Sequence, residues 1–374
     1  MRKIFFALYI LFINLSSGQA GPQAIAKSDR LLWKLPMDSA VDFDIASKCE
    51  IIVFIEAFNE ILKYNEAKLI EITNRKSINF ESIKTWQNKT KIVLIGNLNA
   101  LHKNALDDVV KIPEKNTWET IANLKLHNKF PVSLEKWHEN SKAFYEYYIY
   151  EQIRLAGLSP KLSSEIATIN ENEITGTAFN QKHFLLTFDD GPTPANGNTD
   201  KTIKTLAELN LSCVFYVLGN AFEERLKSTS SEKLLKLYQN QSIASHGQEH
   251  VSHQKLQTWK SSLDFTENII KSVSKQNIVD FRPPYGQRTK EIATYLDKKN
   301  EKIILWNLDS QDWNAKINAD EVANRQITLM LLWRKGILLF HDVHAKAQKA
   351  VPTIYNYFKK CEIVWVEPSY LNKI

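Results

Sequence analysis

The rhythm of apolar and polar positions changes near residue 180. After it, short apolar runs alternate with longer stretches of mixed polarity. Residues 184–188, 214–218, 243–244, 279–281, 303–306, 337–340 and 363–366 read as strands. Between them, 199–209, 222–238, 263–273, 289–299, 319–333 and 347–359 read as helices. The run Ile337-Leu338-Leu339-Phe340 is apolar throughout. Strands alternating with helices predict a parallel sheet covered by helices, open or closed into a barrel.

The first half is less regular, and we expect it to form a separate mixed α/β domain over 21–180. A helix is predicted over 56–69. Ile92-Val93-Leu94-Ile95, followed by Gly96-Asn97, reads as a buried strand and turn. Residues 134–156 give the clearest helix, with Ser133 as its N-cap, Gly157 at its end and Pro160 beyond. Its aromatics (Trp137, Phe144, Tyr145, Tyr147, Tyr148 and Tyr150) suit helix packing better than a sugar-stacking face. The polar stretch 166–181, with Asn170-Glu171-Asn172-Glu173 and Gly176, reads as the connection between domains.

The first twenty residues carry a different pattern. Arg2 and Lys3 precede a mostly apolar run over 4–15, and Ser16-Ser17-Gly18-Gln19-Ala20 follows. This is the three-part pattern of a secretory leader cleaved after Ala20. Its apolar run falls short of the roughly 20 residues that span a bilayer. No stable membrane insertion is expected after cleavage, and the protein is expected to be exported, to a periplasm or the cell exterior. The three cysteines (Cys49, Cys213 and Cys361) are too few for a disulfide scaffold. Cys213 sits in a strand pattern and reads as core, while a Cys49–Cys361 pair is left open by the sequence. The net charge of +6 falls to +4 without Arg2 and Lys3. With no basic cluster interleaved with aromatics, nucleic acid is not an expected partner.

Polar residues recur just after the strands: Asp189-Asp190, then His246, Arg282, Asp309 and Asp312, and His341. Parallel α/β folds bind ligands at the C-terminal strand ends, so one rule gathers these segments on one face. His246 and His250 lie four residues apart and can grip one ion. Asp190 supplies an anionic third ligand, leaving positions open as a catalytic divalent site requires. Its neighbour Asp189 can take a proton from water, whose pKa a metal lowers to about 7. His253 is a spare. His341 is the candidate general acid for a leaving nitrogen. A carboxylate would hold its imidazolium, with Asp312 preferred and Asp309 second. Arg282 can orient Asp189 and keep it ionised. The stiff loop Pro283-Pro284-Tyr285-Gly286 can offer a backbone N–H to an oxyanion. Trp313 and Leu339 can form an apolar pocket for an acyl methyl.

Five segments then show a resemblance. Thr187-Phe188-Asp189-Asp190-Gly191-Pro192, Ser245-His246-Gly247-Gln248-Glu249-His250, Arg282-Pro283-Pro284-Tyr285-Gly286, Asp309-Ser310-Gln311-Asp312-Trp313 and Leu339-Phe340-His341-Asp342 occur in this order. They resemble the five motifs of the polysaccharide deacetylase family, also called the NodB-homology domain or carbohydrate esterase family four. The resemblance covers 181–374. It implies an irregular (β/α) barrel that uses Zn²⁺, or Co²⁺, to remove N-acetyl groups from N-acetylglucosamine polymers. It also implies Asp189 as base, Asp190, His246 and His250 as metal ligands, Arg282 positioning Asp189, and His341 as the acid tuned by Asp312. Tyr285 would give its backbone N–H to the oxyanion, and Trp313 and Leu339 would line the acetyl pocket. Gly247 departs from the family, where Ser or Thr is usual, and this bears on loop packing. Peptidoglycan is the expected substrate, ahead of chitin or poly-N-acetylglucosamine. An O-acetyl esterase and a silent glycan-binding protein are the alternatives, and the complete set of base, acid and ligands argues against the second.

Overall fold

The computed structural model describes residues 24–101, 117–124, 126, 131–274 and 279–374. The expected leader, 1–20, lies outside them. Helices α1 (Ala40–Leu62), α2 (Glu66–Thr73), α3 (Phe80–Asn99), α4 (Trp118–Ile121) and α5 (Glu135–Ala156) come first. The alternating part follows as β1 (Glu173–Ile174), β2 (His183–Asp189), α6 (Asn198–Glu208), β3 (Val214–Val217), α7 (Gly219–Ser228), α8 (Ser231–Leu237), β4 (Ser242–Ser245) and α9 (Trp259–Ser274). It closes with α10 (Lys290–Lys298), β5 (Ile303–Ile304), β6 (Leu308–Asp309), α11 (Ala319–Trp333), β7 (Gly336–His341), α12 (Ala347–Tyr357) and β8 (Val364–Trp365).

The pairings between these strands are parallel. Their order is β4-β3-β2-β7-β6, with β8 beside the start of β2. Of the expected strand 279–281, Phe281 alone pairs, bridging Ser245 of β4 to Ile303 of β5. The chain then runs straight from β5 into β6, which pairs with β7. The hydrogen-bonded path therefore returns to its start, and the sheet is an irregular barrel. Side chains alternate across it, as strand geometry dictates. Leu185, Tyr216, Ile337 and Leu339 form one buried cluster inside. Phe184, Leu186, Phe188, Leu338 and Phe340 belong to the outer core beneath the helices. Thr187 and Asp189 share the inner parity of Leu185, and His341 shares that of Ile337 and Leu339.

The expected α/β class holds, but the mixed character of the first half does not. The described part of the chain before β1 is helical. Residues 92–95 lie inside α3, where Ile83, Trp86, Leu94 and Leu98 are buried and Asn79 caps the start. Helical spacing buries that stripe, whereas a strand there would need a sheet edge to pair with. Ser133 does not cap α5; it lies in a 3₁₀ turn, Val132–Leu134. The stretch 166–181 is also more than a connection, because Glu173–Ile174 pair with Ile303–Ile304. Glu173, buried, takes a bidentate ion pair from buried Arg288. The predicted helix 56–69 is two helices, broken at Asn65, which caps α2.

These N-terminal helices share one apolar core with the barrel. Their seat is α11, in which every residue from Arg325 to Leu332 is buried. A helix buried all round must be covered on both sides. The sheet and α12 cover one side, α1 with α3 covers the other, and α5 reaches it through side chains. Polar ties fix the register: Arg325 Nη2 to Glu151 at 2.6 Å, Arg334 Nη2 to Asp44 at 2.8 Å, and Asn97 Nδ2 to the Leu332 carbonyl at 3.1 Å. Cys49, Cys213 and Cys361 are buried free thiols.

Candidate active site

Two strands set the centre. Asp189 ends β2, His341 ends β7, and the two are register partners in the parallel ladder. Neighbouring strands lie about 4.8 Å apart, so both groups face the barrel mouth side by side. Asp189 is buried, and its Oδ1 accepts from Arg282 Nη1 at 2.8 Å. The same Nη1 reaches Thr187 Oγ1 at 2.7 Å. Arg282 Nε and Nη2 donate to the Ile304 and Leu305 carbonyls at 3.1 and 3.2 Å. Its guanidinium lies 4.0 Å from the centre of the Tyr216 ring. So fixed, Arg282 delivers one charged donor to Asp189. Burial pushes the Asp189 carboxyl up to about 6, against the opposing pull of Arg282 and then His341.

His341 is paired on its other side. Its Nδ1 meets Asp312 Oδ1 at 2.7 Å, and its backbone N–H donates to Asp312 Oδ2 at 2.9 Å. Burial alone would lower the imidazole. The Asp312 carboxylate outweighs that, helped by Asp190 and Asp189, and raises it to about 10. Asp309 does not serve His341. Its carboxylate accepts from Gln311, at 2.8 Å from the backbone N–H and 3.0 Å from the side chain.

Asp190, His246 and His250 come together as the spacing predicts, with ligand atoms within 4.8 Å of one another. Asp190 Oδ1 lies 3.5 Å from His246 Nε2 and 3.6 Å from His250 Nε2. That oxygen is buried with no hydrogen-bond partner. His246 Nδ1 sits 2.7 Å from the Arg282 carbonyl, which can only accept, so Nε2 is left as a lone pair facing Asp190. Burial holds His246 well below its ordinary pKa and lowers His250 too, so both favour the neutral, ligating form. An orphaned carboxylate oxygen converging with two imidazole lone pairs fits a divalent ion bound on one side, with its other positions open.

Backbone strain gathers here. Asp190 has φ +80 and Tyr285 φ +59, both in the left-handed region. The Tyr285 ring packs edge-on against His250 at 4.5 Å between centres. Gly247 has φ +81, and a Cβ there would stand 2.4 Å from the His253 ring. His253 is thus a support: it contacts the Val251 carbonyl and Ser262 Oγ, and Ser262 in turn accepts from the Gln248 N–H. Leu339 is buried inside the barrel, whereas Trp313 is 41% exposed.

Two supporting residues lacked an assigned role in the sequence. Thr187 is the second anchor of Arg282. Asp342, fully buried, accepts from Thr199 Oγ1 at 2.6 Å and donates its N–H to the Asp189 carbonyl at 3.3 Å. A Cβ at Gly191 would lie 2.1 Å from its carboxylate, so that glycine is what lets the acidic turn close over Asp342. Both stand within the quoted motifs, which was the available signal.

The sequence model of the polysaccharide deacetylase family matches residues 176–303. A peptidoglycan-N-acetylmuramic acid deacetylase of Bacillus subtilis is 27% identical over 180 residues, 47% of this chain and 35% of that protein. A peptidoglycan-N-acetylglucosamine deacetylase of Bacillus cereus is 25% identical over 224 residues, 54% of this chain and 75% of that one. Chitin deacetylase 1 of Saccharomyces cerevisiae is 26% identical over 174 residues, 42% of this chain and 50% of that one. A solved peptidoglycan N-acetylglucosamine deacetylase aligns with TM-score 0.47 and 21% identity, covering 54% of this chain and 92% of that chain. The chain spans about a third of the Bacillus subtilis relative. The matched stretch holds three of the five motifs, Thr187–Pro192, Ser245–His250 and Arg282–Gly286, and over these residues the chain is similar to the polysaccharide deacetylase family.

Proposed function

We propose that this chain is a divalent-metal-dependent hydrolase that removes N-acetyl groups from an N-acetylglucosamine-containing polysaccharide, with peptidoglycan first and chitin-like polymers second. One observation carries the reading. Asp189 held by Arg282, and His341 held by Asp312, flank the trio of Asp190, His246 and His250 on one barrel mouth. A bound ion, with zinc preferred and cobalt the alternative, supplies Lewis-acid polarisation of the acetyl carbonyl. Asp189 takes the proton of the attacking water as its oxygen bonds to the carbonyl carbon. His341 delivers a proton to the amide nitrogen as the C–N bond breaks, so acetate and a free amine result. Arg282 and Asp312 position these two groups. The backbone N–H of Tyr285 is the candidate donor to the developing oxyanion, on a turn where its ring packs against His250. Leu339 and Trp313 wall the acetyl methyl.

The catalytic unit is residues 181–374 together with β1, and the preceding helices brace it. The leader pattern over 1–20 supports export, and among the described residues no helix is long and apolar enough to cross a membrane. Peptidoglycan stands first because two of the relatives act on it by name. The test is to incubate the zinc-loaded protein with peptidoglycan and with chitooligosaccharides, and to follow acetyl loss by mass spectrometry. Loss from muropeptide sugars is expected. Loss from neither polymer would overturn the reading.

A further inference from the structure

A second cavity lies apart from the metal-ligand trio. It holds about 350 Å³ and runs between α3, α5 and the segment from Trp306 to Asp309. None of the three ligands, nor Asp189 or His341, lines it. Four aromatic rings do: Trp86, Tyr148, Trp306 and Trp333. The Trp333 indole N–H is spent on the Tyr148 hydroxyl at 3.0 Å. The Trp306 indole is 7% exposed, and its N–H is buried without a partner.

The polar lining narrows the ligand. Glu165 and Asp309 contribute two carboxyls, and Lys89 and Lys335 two ammonium groups. Carboxyl and ammonium groups both line it, so an ion of either sign meets a group of its own charge. Burial pushes Glu165 up to about 7, with Asp309 adding to the rise. Near neutrality its carboxyl can therefore both donate and accept. Flat aromatic walls with mixed donors and acceptors match a ring that is apolar on its faces and hydroxylated on its edge. We propose that this cavity is a second glycan-binding site, holding one uncharged pyranose unit of the polysaccharide. The proposal rests on the deacetylase reading for its choice of glycan. It gives the N-terminal helices a task, since α3 supplies Trp86 and Lys89 to the wall and α5 supplies Tyr148. It also adjoins the first site, because the ring of its Trp306 lies 5.5 Å from the Arg282 guanidinium that holds Asp189.

The test uses the full chain carrying Asp189→Asn, which stops turnover, titrated calorimetrically with chitotetraose. Two binding events are expected. Val93→Trp, which fills the cavity from α3, should remove one. Glu165→Leu, which keeps the bulk and removes both polar atoms, should weaken the same one about tenfold. Events that neither variant alters would overturn the proposal, even if Val93→Trp failed to fold, because Glu165→Leu answers alone. A single event sensitive to both variants would sustain the cavity and count against glycan binding at the metal site.

Discussion

Asp312 accepts two hydrogen bonds from His341 and sets a buried carboxylate beside it, and that pairing dictates how the acid should titrate. His341 is lifted to about 10 from an ordinary 6.5. Activity that needs protonated His341 should fall as pH rises through about 10. Asp312→Asn should move that alkaline limb of kcat/KM to lower pH; a limb that stayed near 10 would unseat Asp312. The stability sign follows from the same shift. A raised histidine pKa contributes stability that is complete below 6.5 and lost as pH rises through about 10. Asp312→Asn should therefore lower Tm most at acidic to neutral pH, with the gap closing above pH 10. At this scale the sequence was informative. Strand-end spacing expected Asp189, Asp190, His246, His250, Arg282 and His341 on one face, and the structure brings these side chains together. It ranked Asp312 ahead of Asp309 although both follow the same strand, and the turn at Gln311, which takes up the Asp309 carboxylate, leaves Asp312 to reach His341.

Elements were legible where neighbours imposed a period and less so where they did not. The strands β2 and β7 and the helix α11 match their apolar runs closely. The run Ile92-Val93-Leu94-Ile95 misled, because β-branched residues suit strands, yet α3 buries its stripe through longer-range spacing. Phe281 pairs where a full strand was expected, since Pro283 and Pro284 soon remove the N–H groups a ladder needs. Gly247 shows the same dependence on context. Its left-handed φ and the His253 ring leave no room for a side chain. Gly247→Ser should cost about 1–3 kcal/mol and weaken metal binding, read by Tm and by metal titration. Arg325 ties α11 to α5 through buried Glu151. Arg325→Met should destabilise by about 3–5 kcal/mol, since it strands a buried carboxylate. Denaturant unfolding would check this, and a change under 1 kcal/mol would contradict it.

The whole molecule is a barrel whose mouth carries the candidate site and whose flank is built by another part of the chain. Residues Ile327-Thr328-Leu329-Met330-Leu331-Leu332 are apolar nearly all round, a sign of a helix covered on both sides. What covers the second side is a long-range fact that local periodicity does not hold. Burying each such Leu contributes about 1.5–3 kcal/mol. A fragment limited to 171–374 should therefore be poorly soluble or molten, judged by near-ultraviolet circular dichroism. The metal trio, by contrast, is held by strand ends and by hydrogen bonds such as His246 to Arg282. A chelator should abolish acetate release while lowering Tm by only a few degrees, as expected for loss of a bound ligand.

The central claim is that Asp189 moves a proton and does not hold the metal. The most direct measurement pairs acetate release with metal content in zinc-loaded Asp189→Asn and His246→Ala. Asp189→Asn should keep its zinc and lose at least about a hundredfold in rate, while His246→Ala should lose both. Acetate release at the wild-type rate by Asp189→Asn, or loss of its zinc, would contradict the assignment.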